Sequence, residues 1–193
     1  MTKEDILNKI GEIYAPLSPE CQQELFDNLV LLSLEKGEIL VREGEYADKA
    51  YFILHGCARA YYLNDGRDIS DWFAFENEFI SSIVSFFGKE PSPHYIELLQ
   101  DAIVLQISRT TIESLSDKYH DFERLIRVVV TETMLRQRER ISSILFQSAK
   151  ERYDHIMRIR PDITNRVPLM HIASYLGITL ETLSRIRGSR KRI

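Results

Sequence analysis

The sequence is poor in cysteine, which limits the metal and redox chemistry open to it. Cys21 and Cys57 are the only two cysteines, and neither has a second metal-ligating residue at close spacing. An iron–sulfur cluster is normally held by about four cysteines, so we expect neither a cluster nor any other metal site. Isolated thiols are more typical of a reducing compartment than of a disulfide-bonded protein, and we expect a cytoplasmic location.

Long apolar runs and recognisable catalytic motifs are also missing. No segment approaches the roughly 18 consecutive apolar residues of a membrane span, and the charged start "MTKEDILNK" lacks the apolar core of a secretory signal. The five histidines do not form metal-ligand spacings, and there is no glycine-rich phosphate loop or nucleophile motif. We therefore expect no membrane partner and no catalytic residues, and we do not expect an enzyme.

Charge is unevenly distributed along the chain. From Ser148 onward there are ten Lys or Arg and four Asp or Glu, whereas residues 1–147 contain fifteen and twenty-five. A basic C-terminal third on an acidic body is typical of a local contact with a polyanion. The alternative to a polyanion contact is that the last nine residues form a solvated, frayed tail.

The first two thirds of the sequence predict helices followed by a small β-domain. Helices are expected over residues 2–14 and again from Ser18-Pro19, where serine is a good cap and proline a good first residue. Between residues 30 and 108, short runs rich in Val, Ile, Tyr and Phe alternate with turn residues, and Asp65-Gly66 predicts a hairpin. Many short strands at such intervals favour an antiparallel sandwich or barrel, so the fold class is α+β.

A long helix is expected to follow the β-domain. After a short helix capped by Ser108, residues 121–146 contain neither Gly nor Pro. Val128, Leu135 and Ser142 share one heptad position and Thr131, Arg138 and Leu145 share another, so the seam is broken by polar residues in its middle. A helix this long has more apolar surface than one small β-domain can cover, which favours a dimer contact, although a helix that only covers the sheet stays open. We predict three domains: an N-terminal domain of helices and strands (1–118), a dimerisation helix (119–147) and a terminal helical domain (148–193).

The terminal domain is expected to contain a bend and then two short helices. Ser148 and Glu151 form a capping-box pattern, and "PDITNRVP" (161–168) looks like a polar connector whose last residue, Pro168, opens the next helix. We expect a left-handed turn at Gly177, a cap at Thr179 and a helix end at Gly188.

The spacing of the small and apolar residues in this pair is typical of a DNA-binding helix-turn-helix. The matching positions are Ile172, Ala173, Leu176, Gly177, Ile178, Leu183 and Ile186. An ordinary helical hairpin is the alternative. In a DNA-binding motif the second helix enters the major groove, so the candidate DNA-binding residues are Thr179, Leu180, Glu181, Thr182, Ser184, Arg185, Arg187, Arg190, Lys191 and Arg192.

Taken together, these elements resemble the CRP/FNR family of bacterial transcription regulators. The resemblance covers nearly the whole chain and rests on "KGEILVREGEYADKAYFILHGCARAYY" in the β-domain and "IASYLGITLETLSRI" near the end. It implies a jelly-roll-type β-roll with an effector pocket, a homodimer joined through the long helix, a palindromic DNA site and RNA polymerase as a further partner. It also implies that Glu181 and Arg185 read bases. Leu180 departs from the family's common basic residue, and the basic tail would replace the family's wing.

The resemblance also identifies a changed effector cassette. Cyclic-nucleotide-binding members use a Glu for the ribose and an Arg-Ser pair for the phosphate, whereas this sequence has Ser82, Ser92 and Pro93 at those positions. A buried phosphate without a cation is costly, so cyclic AMP binding of the usual kind is not expected and the effector is unknown. The candidate pocket residues are Ser82, Ser92, His94, Tyr95 and Arg138.

Two further functions stay open at this point. The chain could be a small-molecule-sensing or protein-interaction module whose DNA binding is weak or vestigial. A haem-dependent gas sensor using His155 is a more distant alternative, since a surface or core histidine is the ordinary interpretation of that position.

Overall fold

The computed structural model describes residues 3–190, which form eight strands and nine helices. The strands are β1 (Val30–Leu34), β2 (Ile39–Val41), β3 (Lys49–His55), β4 (Ala58–Asn64), β5 (Arg67–Ala74), β6 (Phe79–Ser81), β7 (Tyr95–Leu98) and β8 (Ala102–Ser108). The helices are α1 (Lys3–Ile13), α2 (Pro19–Asp27), α3 (Ile83–Gly88), α4 (Arg109–Lys118), α5 (His120–Phe146), α6 (Ala149–Ile159), α7 (Ile163–Arg166), α8 (Leu169–Tyr175) and α9 (Leu180–Arg190). The mixed class and the order of helices and strands follow the sequence prediction.

The strands form two four-stranded antiparallel sheets, with orders β1-β8-β3-β6 and β2-β7-β4-β5. The hairpin between β4 and β5 turns at Asp65 and Gly66, which both have positive φ (50° and 74°). This is the conformation that a tight two-residue hairpin requires, and it confirms the predicted turn. Apolar side chains, including Ile53, Ile96 and Val104, pack between the sheets and are completely buried. We call the two sheets together the roll.

A second core lies between the outer face of the β1-β8-β3-β6 sheet and the flanking helices. Phe52 and Leu105 from the sheet pack with Leu7, Leu25 and Phe122 from α1, α2 and α5. Helix α4 begins where predicted, because the Ser108 side chain accepts a hydrogen bond from the Thr111 backbone N–H at 3.0 Å. The first half of α5 is thus fixed to the roll, while the rest extends beyond this core.

A third core joins the C-terminal helices to the roll. Cys57, Phe73 and Phe75 of the roll pack against a cluster that includes Tyr153 of α6 and Ile172 of α8. Helix α6 starts with the predicted capping box, in which the Ser148 hydroxyl accepts from Glu151 N–H and the Glu151 carboxylate accepts from Ser148 N–H. The C-terminal helices are therefore held against the roll by apolar side chains from both.

Several sequence expectations need correction. The predicted connector contains a short helix, α7, and it is not simply polar, because Ile163 and Val167 are buried. Pro168 occupies the N-cap position of α8 rather than its first helical position. Helix α9 passes Gly188 and continues to Arg190, since Gly188 keeps a negative φ and a helical glycine costs only about 1 kcal/mol relative to alanine.

Candidate functional site

Helices α8 and α9 form a tightly joined pair whose turn depends on Gly177. Its φ is +66°, the left-handed region that glycine adopts at little cost. Gly177 N–H donates to the Ser174 carbonyl and Ile178 N–H to the Ala173 carbonyl, both at 3.0 Å. These two bonds satisfy the last carbonyls of α8 in a Schellman motif. The small Ala173 and the apolar Leu183 are buried where the helices meet.

The start of α9 is defined by its cap. Thr182 N–H donates to the Thr179 hydroxyl at 3.2 Å, as the sequence predicts for this residue. Glu181 lies in the first turn, and its pKa is lowered by its own backbone N–H and by the Thr179 side chain. The helix therefore begins with an ionised carboxylate at its positive end, a favourable arrangement for the helix dipole.

The predicted DNA-reading side of α9 faces solvent. Thr179, Leu180, Glu181, Ser184 and Arg185 are all exposed, whereas Thr182 and Arg187 are half-buried. The Arg185 guanidinium donates to the Thr182 hydroxyl at 3.2 Å, which orients it along the first turn of the helix. Of the basic residues at the end, Arg190 closes α9, while Lys191 and Arg192 lie outside the described residues. Exposed polar and basic side chains at a capped helix start can contact a polyanion or base edges.

Three of the five candidate pocket residues meet in the segment between β6 and β7. Ser82, Ser92 and His94 are all buried. The Ser92 hydroxyl donates to the His94 carbonyl at 2.7 Å and lies 2.8 Å from the Ser82 hydroxyl. Since each hydroxyl has one proton, Ser82 is then the donor within the pair. We call these three residues the serine cluster.

The serine cluster is uncharged. Burial lowers the pKa of His94, which favours its neutral form, and its ring lies edge-on to Tyr62 with a centroid distance of 5.2 Å. Among residues 3–190, neither ring nitrogen of His94 has a hydrogen-bond partner, and none of the three side chains is bonded to a Lys or Arg. The cluster therefore offers hydroxyl and imidazole groups but no cation for a phosphate.

The other two pocket candidates lie elsewhere. Tyr95 stacks on Tyr61 with a centroid distance of 5.2 Å, on the outer face of its sheet, while the next residue, Ile96, faces the core. Arg138 is exposed on α5. The structure therefore does not bring Tyr95 or Arg138 together with the serine cluster.

A charged network that the sequence analysis missed lies between the roll and α8. Arg59 of β4 is only 2% exposed and donates to Asp68 Oδ1 at 2.6 Å and to Glu97 Oε1 at 2.5 Å. Its Nη1 also lies 2.6 Å from His171 Nδ1 of α8. A guanidinium cannot accept a hydrogen bond, so His171 must be the acceptor and be deprotonated at Nδ1.

Neighbouring contacts strengthen this junction. Ser174 of α8 accepts from Ser70 N–H and donates to the Asp68 carbonyl, both at 2.9 Å. Arg166 of α7 donates two hydrogen bonds to the Glu76 carboxylate and one to the Gly56 carbonyl. Burial opposes ionisation of Glu76, but the hydrogen bonds from Arg166 and the backbone outweigh it and lower its pKa to about 2. One feature of the sequence pointed to this interface: a charged residue, Arg59, lies within the strand "CARAYY".

Two kinds of site are not found in the described part of the chain. Within residues 3–190 no helix combines the length and apolar character needed to cross a bilayer. Over the same range, no three His, Cys, Asp or Glu side chains are arranged to hold a metal ion.

Comparison with known proteins identifies the roll and the overall fold. Residues 31–119 match the family model of the cyclic nucleotide-binding domain. FixK2 from Bradyrhizobium japonicum superposes with a TM-score of 0.69 at 21% identity, covering 83% of each chain. The c-di-GMP responsive global regulator CLP from Xanthomonas campestris gives 0.68 at 15% identity, covering 91% of this chain and 92% of that one.

A third similar structure is that of a protein assigned to a regulator family. A Eubacterium rectale protein, proposed to be a transcriptional regulator of the CRP/FNR family, gives a TM-score of 0.68 at 18% identity and covers 88% of this chain and 82% of that one. No match was found among curated proteins. The chain thus contains a region that matches the cyclic nucleotide-binding domain, and it has the fold of CRP/FNR-type regulators.

Proposed function

We propose that this chain is a sequence-specific transcription regulator of the CRP/FNR type rather than an enzyme. It acts as a homodimer on a palindromic site in double-stranded DNA, with RNA polymerase as a further partner and the cytoplasm as its location. The observation that supports this most directly is the exposed, capped start of α9, which presents Glu181 and Arg185 to solvent. The shared fold supports the same conclusion.

The helix-turn-helix assignment explains the chemistry of this surface. In such a motif the first residues of the second helix contact base edges in the major groove. Arg185 has the planar donor pair that suits guanine, and Glu181 can accept from cytosine. Leu180 is 43% exposed and offers only an apolar contact, such as a thymine methyl group. Thr179, Thr182 and the basic end of the chain would hold phosphates.

Helix α5 supports the dimer. Its 27 residues span about 40 Å at 1.5 Å per residue, and it carries exposed apolar residues at Val130, Met134, Ile141 and Leu145. Their spacings of four, seven and four residues place them on one face. The heptad position predicted from Val128, Leu135 and Ser142 lies to one side of that face. A second copy packed along α5 would bury this face.

The serine cluster supports a regulator that does not use cyclic AMP in the usual way. Ser82 and Ser92 are hydrogen-bonded to each other and have no cation partner among the described residues. A cyclic phosphate placed here would be a buried charge without compensation. The proposed role therefore requires either a different effector or none.

Selection from randomised duplex DNA tests the proposal. Purified full-length protein is used twice, once without added ligand and once with a small-molecule extract of cells. Enrichment of a two-fold symmetric sequence in either selection supports a dimeric DNA reader, and the comparison shows whether an effector is required. If neither selection enriches any sequence above the no-protein control, the proposal is wrong.

A second function is favoured by one observation. An apolar cavity of about 340 Å³ lies between the roll and α5, with Phe79, Phe86, Val129 and Met134 in its wall. This would suit a small-molecule-binding module in which DNA binding is vestigial. That alternative predicts no enrichment in either selection, together with binding of apolar compounds.

A further inference from the structure

A separate cavity lies where the roll, the long helix and the C-terminal helices meet. It has a volume of about 210 Å³. We call it the junction cavity and define it by Asp71, Trp72, Arg136, Arg140, Arg160 and Tyr175. Neither the serine cluster nor the exposed side of α9 contributes to its wall. Its occupant would therefore touch three parts of the molecule without using either of the sites described above.

Three arginines and two carboxylates line the junction cavity. Glu78 Oε1 accepts from Arg136 at 3.2 Å and from Arg160 at 3.3 Å, so one oxygen serves two guanidinium groups. Arg140 Nη1 lies 3.1 Å from Asp71 Oδ1. Glu132, which pairs with Arg136 at 3.4 Å, is not part of the wall. The wall thus holds three arginines and two carboxylates, with Glu132 as a third carboxylate behind it, and none of these pairs is bidentate.

Arg140 has an unused donor. Its Nη1 donates to Asp71 and its Nη2 to the Ser70 carbonyl at 3.1 Å. Its Nε–H is buried and has no acceptor among residues 3–190. A buried charged group without its full set of partners is unfavourable, and a carboxylate can accept two parallel hydrogen bonds from an arginine. An anionic oxygen that reached this edge of Arg140 would supply the missing acceptor.

The remaining wall is aromatic. Trp72, Phe73, Phe75 and Tyr175 line the junction cavity, and the Arg160 guanidinium lies over the Phe75 ring at 4.2 Å. Aromatic faces favour flat rings in offset or edge-on contact. Pockets for drug-sized ligands begin near 300 Å³, so the volume limits the ligand to a small molecule, about the size of one substituted ring.

We infer that the junction cavity binds a small aromatic carboxylate, with the carboxylate at Arg140 and Arg160 and the ring against the aromatic wall. This goes beyond the proposed DNA-binding function and does not depend on it. Because β5, α5, α6 and α8 all contribute to the wall, a bound ligand stabilises the arrangement of the C-terminal helices against the roll seen here.

The chain contains a convenient internal reporter. Trp72 is its only tryptophan and lies in the wall of the junction cavity. Titration of the full-length protein with benzoate is expected to change Trp72 fluorescence saturably and to raise the melting temperature. Benzamide, which has the same shape without the charge, is expected to bind at least about tenfold more weakly, because removing a charge-assisted pair costs more than removing a neutral one. The absence of saturable benzoate binding, or equal binding of both compounds, would overturn the inference.

Two variants locate the site. Arg140→Gln and Arg160→Gln are each expected to weaken benzoate binding at least about tenfold, whereas Arg127→Gln, an exposed position on α5 outside the cavity wall, is expected to bind as the parent does. Trp72 also borders the apolar cavity, but neither Arg140 nor Arg160 does. If both variants fold, as shown by their melting curves, and still bind benzoate normally, the assigned site is wrong. If Arg140→Gln fails to fold, Arg160→Gln still decides the question.

Discussion

The two helices of the α8–α9 pair differ sharply in what their side chains contact. Helix α8 turns His171 and Ser174 towards the roll, where both are bonded to buried or half-buried groups. Helix α9 turns Glu181 and Arg185 towards solvent, where the side chain of Arg185 contacts Thr182 and that of Glu181 contacts Thr179, both within the same helix and its cap. We call the side of the α8–α9 pair that contacts the roll its fixed side, and the side that faces solvent its free side. The difference indicates that its residues can be sorted into those that hold the helices in place and those that are available to a partner.

The largest effect is expected at the fixed side. Arg59→Ala leaves Asp68 and Glu97 without their cation, and breaking a buried ion pair costs about 3–5 kcal/mol of the free energy of unfolding. Both carboxylates are partly exposed, so we expect a loss near about 3 kcal/mol. Chemical denaturation monitored by circular dichroism would measure it.

A matched control is available on the neighbouring strand. Arg67 is exposed, and Arg67→Ala is expected to change stability by less than about 0.5 kcal/mol. The Arg59→Ala protein should keep the base preference of the parent at temperatures where it is folded. Equal stability of the two variants would show that the buried network does not hold the helices.

A smaller effect, on a different property, is expected at the free side. Arg185→Ala should weaken binding to the selected DNA site by about 1–3 kcal/mol and relax the preference at one base position, because the proposed guanine contact is lost. Its free energy of unfolding should stay within about 0.5 kcal/mol of the parent, since the residue is exposed. Competition binding with single-base variants of the site measures both the loss of affinity and the base position affected. An unchanged base preference would show that Arg185 does not contact a base.

The smallest effect is a pH dependence at the fixed side. Burial and the neighbouring Arg59 lower the pKa of His171, and they outweigh Asp68 and Glu97, which act in the opposite direction. The unfolded chain, with a histidine pKa near 6.5, therefore binds more protons than the folded protein just below that pH. The stabilisation is complete above about pH 6.5 and is lost as the pH falls towards the lowered pKa.

His171→Asn isolates this contribution. The asparagine oxygen can still accept from Arg59 but does not titrate in this range, so the slope of stability against pH should become shallower between about pH 5 and 6.5. The slope should not vanish, because burial lowers the pKa of His94 as well. Denaturation midpoints at several pH values would measure both slopes, and identical slopes would show that His171 does not titrate with folding.

The features that could be predicted from the sequence are those with local causes. The cap at Thr179, the turn at Gly177 and the capping box at Ser148 each depend on residues within a few positions, so their patterns are visible in one window of sequence. The antiparallel strands followed from alternating apolar runs and the Asp65-Gly66 hairpin. The face of a strand on which a side chain lies was harder to predict, because a shift by one residue moves the side chain to the opposite face. Tyr95 is an example.

The interface between the roll and the C-terminal helices could not be predicted because its partners are far apart in the chain. Arg59 and His171 are separated by 112 residues, and Arg166 and Glu76 by 90. A charged residue within an apolar strand indicates that some partner exists but does not identify it. Arg140 was missed for the same reason, since its contacts with Ser70 and Asp71 form only when α5 lies along β5.

The shared apolar cluster beneath α8 has a consequence for protein engineering. Cys57, Phe73 and Phe75 of the roll complete the core of the C-terminal helices, so these helices are not an interchangeable module. A chimaera that takes residues 148–193 from another protein of the same fold would place foreign side chains against Arg59 and these three apolar residues. Under the proposed function, grafting only the solvent side of α9, from Thr179 to Arg185, is expected to transfer DNA preference while leaving the native core intact.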